Sequence, residues 1–369
     1  MLSCCSVCCG QSLERYRTLK DTTFVSGSLG FKKHIQITVP VEYQQNVQQS
    51  FPLIIVFDTQ NQRQYHFILN AIDFLTGSER MPSAVIVSVE AGKGGYRYRE
   101  TQLKVSDSSG MAAQNEDFIF KELIPMMRAE FKASSFTVLA GHSRYGFLTT
   151  YLLAKHPQEL NAAISMSPFL EQPHFSLDTM MIQSLKRNEP KHTIYYRYAM
   201  GDDYPADYKK LTAALNASKI KNFNAEGWLF AGADHMTTPG LTITKAMFDV
   251  FAYWYDAQNE FLHGANSDEV KQNIVSHYGR SIPFSIAILN GRAYDYYNKQ
   301  DYVNALAAFH ELVKVYPNFS QAYLSIAKCQ KALKQPAEQT MREFKASLQQ
   351  SSMYTAGQKA DLLKEAEYL

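Results

Sequence analysis

Three runs constrain the fold most: FPLIIVFDTQ (51–60), SAVIVSVEAG (83–92) and FTVLAGHS (136–143), apolar at nearly every position until their polar ends. A strand with one wet face alternates, whereas a continuously apolar one must be covered on both faces, as in a parallel sheet. AAISMSP (162–168) and TIYYRYAMGDD (193–203) continue the series. KKHIQITVPVEY alternates from His34 to Val39 and predicts a half-buried strand ending at Pro40. Between the runs lie helical stretches. EDFIFKELIPMMRAEF puts Phe118, Leu123, Met126 and Met127 on one side, and RYGFLTTYLLAKHP runs from Ser143 to Pro157. Strands alternating with helices predict an α/β layer fold with a mostly parallel sheet. Ala246–Gln258 reads as its last helix.

From about Phe284 the pattern becomes all-helical. Ala293, Tyr296, Ala305, Phe309 and Pro317 fall at the spacing of a tetratricopeptide-like helix–turn–helix repeat of about 34 residues. A degenerate second copy starts near Ser320 with Tyr323 and Ala327, and a terminal helix is expected over Thr355–Leu369. About three such repeats are needed to bury their own faces. These two therefore lean on the α/β domain, on the terminal helix, or on a protein partner or second copy of the chain. The division expected is a terminal segment over 1–18, the α/β domain over 19–270 and the helical region over 280–369.

The formal charge of +2 over 369 residues implies neither a nucleic acid nor an acidic membrane partner. No apolar run reaches the roughly 18 residues of a spanning helix. Four of the five cysteines crowd into MLSCCSVCCG. A zinc pair and acylated thiols are two readings; the favoured one is a signal-peptide remnant cleaved near residue 10, implying a periplasmic or secreted protein. Without such a signal the chain is cytoplasmic.

Ser143, in Leu139–Leu148 (LAGHSRYGFL), follows a strand and opens a helix. That turn carries the nucleophile of serine ester hydrolases, which also need a base, an acid to orient it, and oxyanion donors. Gly141 meets the turn's demand for a small neighbour; Tyr145, two residues after the serine, does not, although Gly146 follows. In this fold the order is serine, acid, histidine. WLFAGADHMTTPG (228–240) delivers His235 on a late loop, while His142 is expected to point elsewhere and His263 and His277 fall outside the sheet region. The acid is sought among Asp202, Asp203 and Asp207, with Asp203 preferred. Oxyanion donors are the backbone N–H of Arg144 and that of Thr59 or Gln60. No zinc-protease helix motif, phosphate-binding loop or dinucleotide fingerprint occurs, so neither metal nor cofactor is expected.

Residues 26–255 resemble the esterase-D-like branch of α/β hydrolases, which includes siderophore (enterobactin-type) and some carbohydrate esterases. GSLGFKKHIQITVPVEY, PLIIVFDTQ, YRYRET, VLAGHSRYGFLTTYLLAKHPQELNAAISMSPFL and DHMTTP match that family's segments in order. The resemblance implies a Ser–His–acid esterase acting on a small acylated or lactone-type substrate, with Ser143 as nucleophile, His235 as base and Asp203 loosely at the acid position. Tyr145, Met236 and Thr59 stand where the family has glycine, adding bulk near the site. Tyr145 is accordingly expected to shape the substrate pocket. Arg97 and Arg99 either hold an acidic or catechol-bearing substrate or pair internally with Asp58 or Glu100. The rival reading is a non-catalytic, hydrolase-like scaffold recruiting a partner through its repeats.

Overall fold

The computed structural model describes residues 13–44 and 49–369. The cysteines of the first nine residues, and with them the readings of that segment, lie outside the described residues. Eight strands form the main sheet: β1 (Tyr16–Val25), β2 (Lys32–Pro40), β3 (Phe51–Phe57), β4 (Val85–Val89), β5 (Ala133–His142), β6 (Ala162–Met166), β9 (Ile194–Met200) and β10 (Phe223–Leu229). A two-stranded ribbon, β7 (Glu171–Gln172) and β8 (Phe175–Ser176), lies apart. The sheet order is β1-β2-β4-β3-β5-β6-β9-β10, parallel from β4 to β10 and antiparallel at β1, β2 and β4.

The helices of the α/β part are α1 (Gln62–Gly77), the short α2 (Tyr96–Arg99), α3 (Ala112–Asp117), α4 (Ile124–Glu130), α5 (Arg144–Lys155), α6 (Leu177–Arg187), α7 (Pro205–Ser218), α8 (Thr238–Val250) and α9 (Ala252–Leu262). Between α3 and α4 the chain widens into a π-helix, Phe118–Leu123. This wider turn precedes Pro125, whose ring would clash with the carbonyl four residues back in a regular helix. The last helix expected of the sheet domain, Ala246–Gln258, is two: α8 and α9 meet at Phe251.

The apolar runs are buried as their composition requires: every residue of β3, β4 and β6 is inaccessible. Alternate side chains feed two cores. Ile54, Val56, Ile86, Val138 and Ala140 pack toward α1, α8 and α9, while Leu53, Ile55, Val87 and Leu139 pack toward α5 and α6. Each such side chain contributes roughly 1.5–3 kcal/mol by burial.

Beyond α10 (Ser267–Tyr278) come α11 (Ile286–Asn298), α12 (Tyr302–Val315), α13 (Gln321–Ala332), α14 (Glu338–Gln350) and α15 (Ala356–Ala366). They do lean on the sheet domain. Phe261, Phe284, Leu289, Ala293, Phe309 and Ile326 continue the same core that Ile54 and Trp254 belong to. Trp254 Nε1 donates to the Pro283 carbonyl at 3.0 Å, and Asn318 Nδ2 to that of Glu42 at 2.8 Å. Among the described residues no helix is long and apolar enough to cross a membrane.

Candidate active site

Strand β5 ends at His142 and α5 begins at Arg144, so Ser143 must reverse the chain in one residue. It does so at φ 58° and ψ −117°, a region that side-chain-bearing residues avoid. Asp58 after β3 and Ser167 after β6 also have positive φ, at 66° and 44°. Each of these three adjacent strands is thus followed by a non-glycine residue with positive φ, at the carboxyl edge of the sheet where open α/β folds bind ligands. A Cβ at Gly141 would stand 2.3 Å from the Tyr145 carbonyl oxygen, and one at Gly146 3.2 Å from that of Met166. Those are the two positions at which the elbow needs glycine.

Tyr145 needs no glycine because its side chain leaves the elbow inward. Its ring is 1% exposed, stacks on Phe57 at 5.1 Å, and its hydroxyl donates a short hydrogen bond to Glu100. Burial and the Glu100 charge push the phenol's pKa up, keeping it a donor. Lys33 Nζ meets the same Glu100 carboxylate at 2.7 Å, and the Gly92 amide donates to its other oxygen at 2.9 Å. The expectation that Tyr145 shapes the substrate pocket is therefore corrected: it is sealed beneath the site and faces Glu100 instead.

His235 sits on the loop after β10. Its Nδ1 is 2.7 Å from Asp203 Oδ2, and the other Asp203 oxygen accepts from the Gly201 amide at 3.0 Å. Asp202 instead accepts from Gly232 N at 3.0 Å and so ties down the loop bearing the histidine. Asp207 lies in the first turn of α7, where burial raises its pKa. Of the three carboxylates, Asp203 is the one bonded to the imidazole. The Asp234 side chain accepts from Met236 N at 3.0 Å and Thr237 N at 2.8 Å, fixing the turn around His235. Tyr204 presents its ring edge-on to His235 at 5.8 Å.

His142 does not point elsewhere. Its Nε2 lies 2.8 Å from the His235 carbonyl oxygen and the two rings are 4.6 Å apart. Burial, reinforced by His235, lowers its pKa to about 4, so it is a neutral donor at pH 7. The serine's immediate neighbour thus grips the histidine loop. The hydroxyl of Ser143 makes no hydrogen bond among the described residues; such contacts often tighten only once substrate is bound.

The oxyanion candidates separate on hydrogen bonding. Thr59 N–H reaches the Val89 carbonyl at 3.5 Å, whereas the amides of Gln60 and Arg144 have no partner among the described residues. Arg97 braces this loop: its Nε is 2.7 Å from Asp58 Oδ1 and its Nη2 2.5 Å from Oδ2. Asp58 also takes a short hydrogen bond from the Gln60 side chain, whose oxygen accepts from Ala91 N at 2.9 Å. Of the two roles expected for Arg97, the internal ion pair with Asp58 is the one it has, and it does not hold substrate. Arg99 donates to the Ser109 carbonyl at 3.1 Å and lies over Tyr96 at 5.1 Å.

A cavity of about 790 Å³ opens between β1, β2 and α1, lined by Tyr16, His34, Gln36, Tyr65 and Glu90. It reaches the loop after β3 through Thr59 but contains none of Ser143, Asp203 or His235. Sequence reasoning missed the Lys33–Glu100–Tyr145 cluster and the grip of His142, because both pair residues distant in sequence. The alternative in which Glu100 pairs with Arg97 or Arg99 is corrected: its side-chain partners are Lys33 and Tyr145 instead.

A parallel sheet with helices on both faces and a serine elbow at a strand end is the α/β hydrolase arrangement. The Esterase family model matches residues 26–225, and the chain belongs to that family; it is a carboxylic-ester hydrolase. Among solved structures, an uncharacterised protein from Capnocytophaga ochracea aligns over 89% of this chain and 93% of its own, at 16% identity and TM-score 0.59. An IroE-like serine hydrolase from Shewanella oneidensis aligns over 77% and 95%, at 16% identity and TM-score 0.64. The enterobactin esterase FES from Shigella flexneri aligns over 66% and 61%, at 19% identity and TM-score 0.51. At these identities the likeness is one of fold. Among curated proteins none matches the chain by sequence.

Proposed function

We propose that Ser143, His235 and Asp203 act together as a Ser–His–Asp triad that hydrolyses a small acylated or lactone-type substrate. The observation carrying this reading is the 2.7 Å contact of Asp203 with His235 Nδ1 on a loop gripped by the serine's neighbour. A proton on Nδ1 leaves Nε2 free as base. Ser143 Oγ attacks the ester carbonyl while its proton passes to His235, and Asp203 stabilises the imidazolium. The oxyanion is met by the amides of Arg144 and Gln60, each such donor worth about 2.7–4 kcal/mol of barrier. The alcohol leaves with the proton from His235. Water, deprotonated by the same histidine, then cleaves the acyl-enzyme to the acid and free Ser143.

Siderophore and carbohydrate esters are the substrate classes proposed, since the family resemblance and the neighbours' names point there. Residues 280–369 are proposed as a tetratricopeptide-like region that receives a protein partner or a second copy of the chain; Val303, Leu363 and Tyr368 are exposed on it. A fluorophosphonate probe should label Ser143 in the folded protein, and Ser143→Ala should abolish both labelling and turnover of short nitrophenyl esters. Labelling at another residue, or turnover that survives Ser143→Ala, would refute the triad.

A further inference from the structure

The Arg144 side chain, on the residue next to Ser143, makes no ion pair and no hydrogen bond among the described residues. Its guanidinium carbon lies 4.2 Å from the centre of the Tyr98 ring and 5.5 Å from that of Phe169. Phe169 is itself stacked on the buried Phe147 at 5.0 Å, so the support is rigid. Nη1 is shut off from solvent with no hydrogen-bond partner. Nε and Nη2 also carry no hydrogen bond among the described residues, but they are not sealed off. The titratable groups that act on it electrostatically are Arg97, itself paired with Asp58, and the uncharged phenols of Tyr98 and Tyr204. An arginine held against aromatic rings keeps its N–H edge for a planar oxyanion.

The same molecule displays what such an edge accepts. Arg97 offers Nε and Nη2 side by side, and the Asp58 carboxylate fills them at 2.7 and 2.5 Å. Arg144 presents the same pair of donors, empty, from the residue next to Ser143. We propose that Arg144 is a specificity residue and that the substrate is an ester carrying a carboxylate within an arginine's reach of the scissile carbonyl. The inference rests on the hydrolytic reading of Ser143 and narrows it to anionic esters. Neutral acylated sugars would leave this edge unfilled.

The test is steady-state kinetics of the full chain on two matched ester pairs. 4-Nitrophenyl hydrogen glutarate carries its charge on the acyl side and 3-acetoxybenzoate on the leaving side; each is compared with its methyl-capped, uncharged counterpart. In at least one pair the anionic ester should have kcat/KM about ten- to a hundredfold higher, the range of a hydrogen-bonded charge pair. Arg144→Gln keeps the backbone amide and should bring that ratio near one, with Arg144→Lys intermediate. Because each ratio compares two substrates on one variant, loss of folded protein cancels. A wild-type ratio near one in both pairs, or a ratio unmoved by Arg144→Gln, overturns the inference and leaves hydrolysis at Ser143 standing. No turnover of any of these esters, with Ser143 unlabelled by fluorophosphonate, overturns the hydrolytic reading and this inference together.

Discussion

Replacing Tyr145 by glycine would restore the residue that the resembling family has at this position, and it should nearly unfold the protein. The ring is 1% exposed and stacked on Phe57. Truncating a buried aromatic side chain to alanine costs about 3–5 kcal/mol in lost transfer and cavity terms. The hydroxyl donates to the buried Glu100 carboxylate, a bond to a charged group worth about 1.5–3 kcal/mol. Glycine in a helix costs roughly another 1 kcal/mol relative to alanine. The terms are not strictly additive, but a loss above about 4 kcal/mol is expected against a total stability of about 5–15 kcal/mol. Tyr145→Phe isolates the hydroxyl and should lose only about 1.5–3 kcal/mol. Equilibrium unfolding in urea, followed by fluorescence of the buried Trp254 and by circular dichroism, measures both. Fluorophosphonate labelling of Tyr145→Phe should persist, since the phenol faces Glu100 and not the cleft. A Tyr145→Gly protein within 1 kcal/mol of wild type would refute the argument that the ring is a structural filler beneath the elbow.

Three further outcomes are expected. Asp203→Asn should lower kcat by roughly 10³–10⁴-fold with little change in KM, because the wrong imidazole tautomer is then held; an unchanged kcat would assign the acid role elsewhere. His142 has a folded pKa of about 4, below the roughly 6.5 of an unfolded histidine. The unfolded chain therefore binds the extra proton first, and stability falls as pH drops from about 6.5 to about 4, by some 2 kcal/mol at pH 5. His142→Gln, which can still donate to the His235 carbonyl, should lose that much less between pH 7.5 and pH 5 in urea titrations, and equal losses would contradict it. Phe309→Ala should destabilise the whole molecule by about 3–5 kcal/mol in a single transition, since Phe309 shares one core with the sheet; two separate transitions would mean that the helical region folds on its own.

The readable parts of the fold are those where burial dictates composition. β3, β4 and β6 are covered on both faces, so their apolar runs announce them. The two edge strands announce little. In β1, YRTLKDTTFV, only Tyr16 is buried, and charged side chains face solvent as an edge requires. β10 is exposed at alternate positions and was legible only from Trp228 onward. The division of Ala246–Gln258 into two helices at Phe251 carries no proline or glycine to mark it.

Local sequence determined the serine's setting. A strand must stop, a helix must start, and Gly141 is the small residue that lets the chain fold back on itself there. It also ordered the acid and histidine loops after it. Tertiary structure alone decided how those loops meet: that Asp203 and not Asp202 or Asp207 bonds His235, that Arg97 is consumed by Asp58, and that Tyr145 turns inward to Glu100. Each is a choice among near-equivalent charged or aromatic groups a few residues apart, or a contact between residues tens of positions apart. One-dimensional pattern encodes burial and turn geometry, but pairing depends on angles and distances that exist only after the sheet has closed.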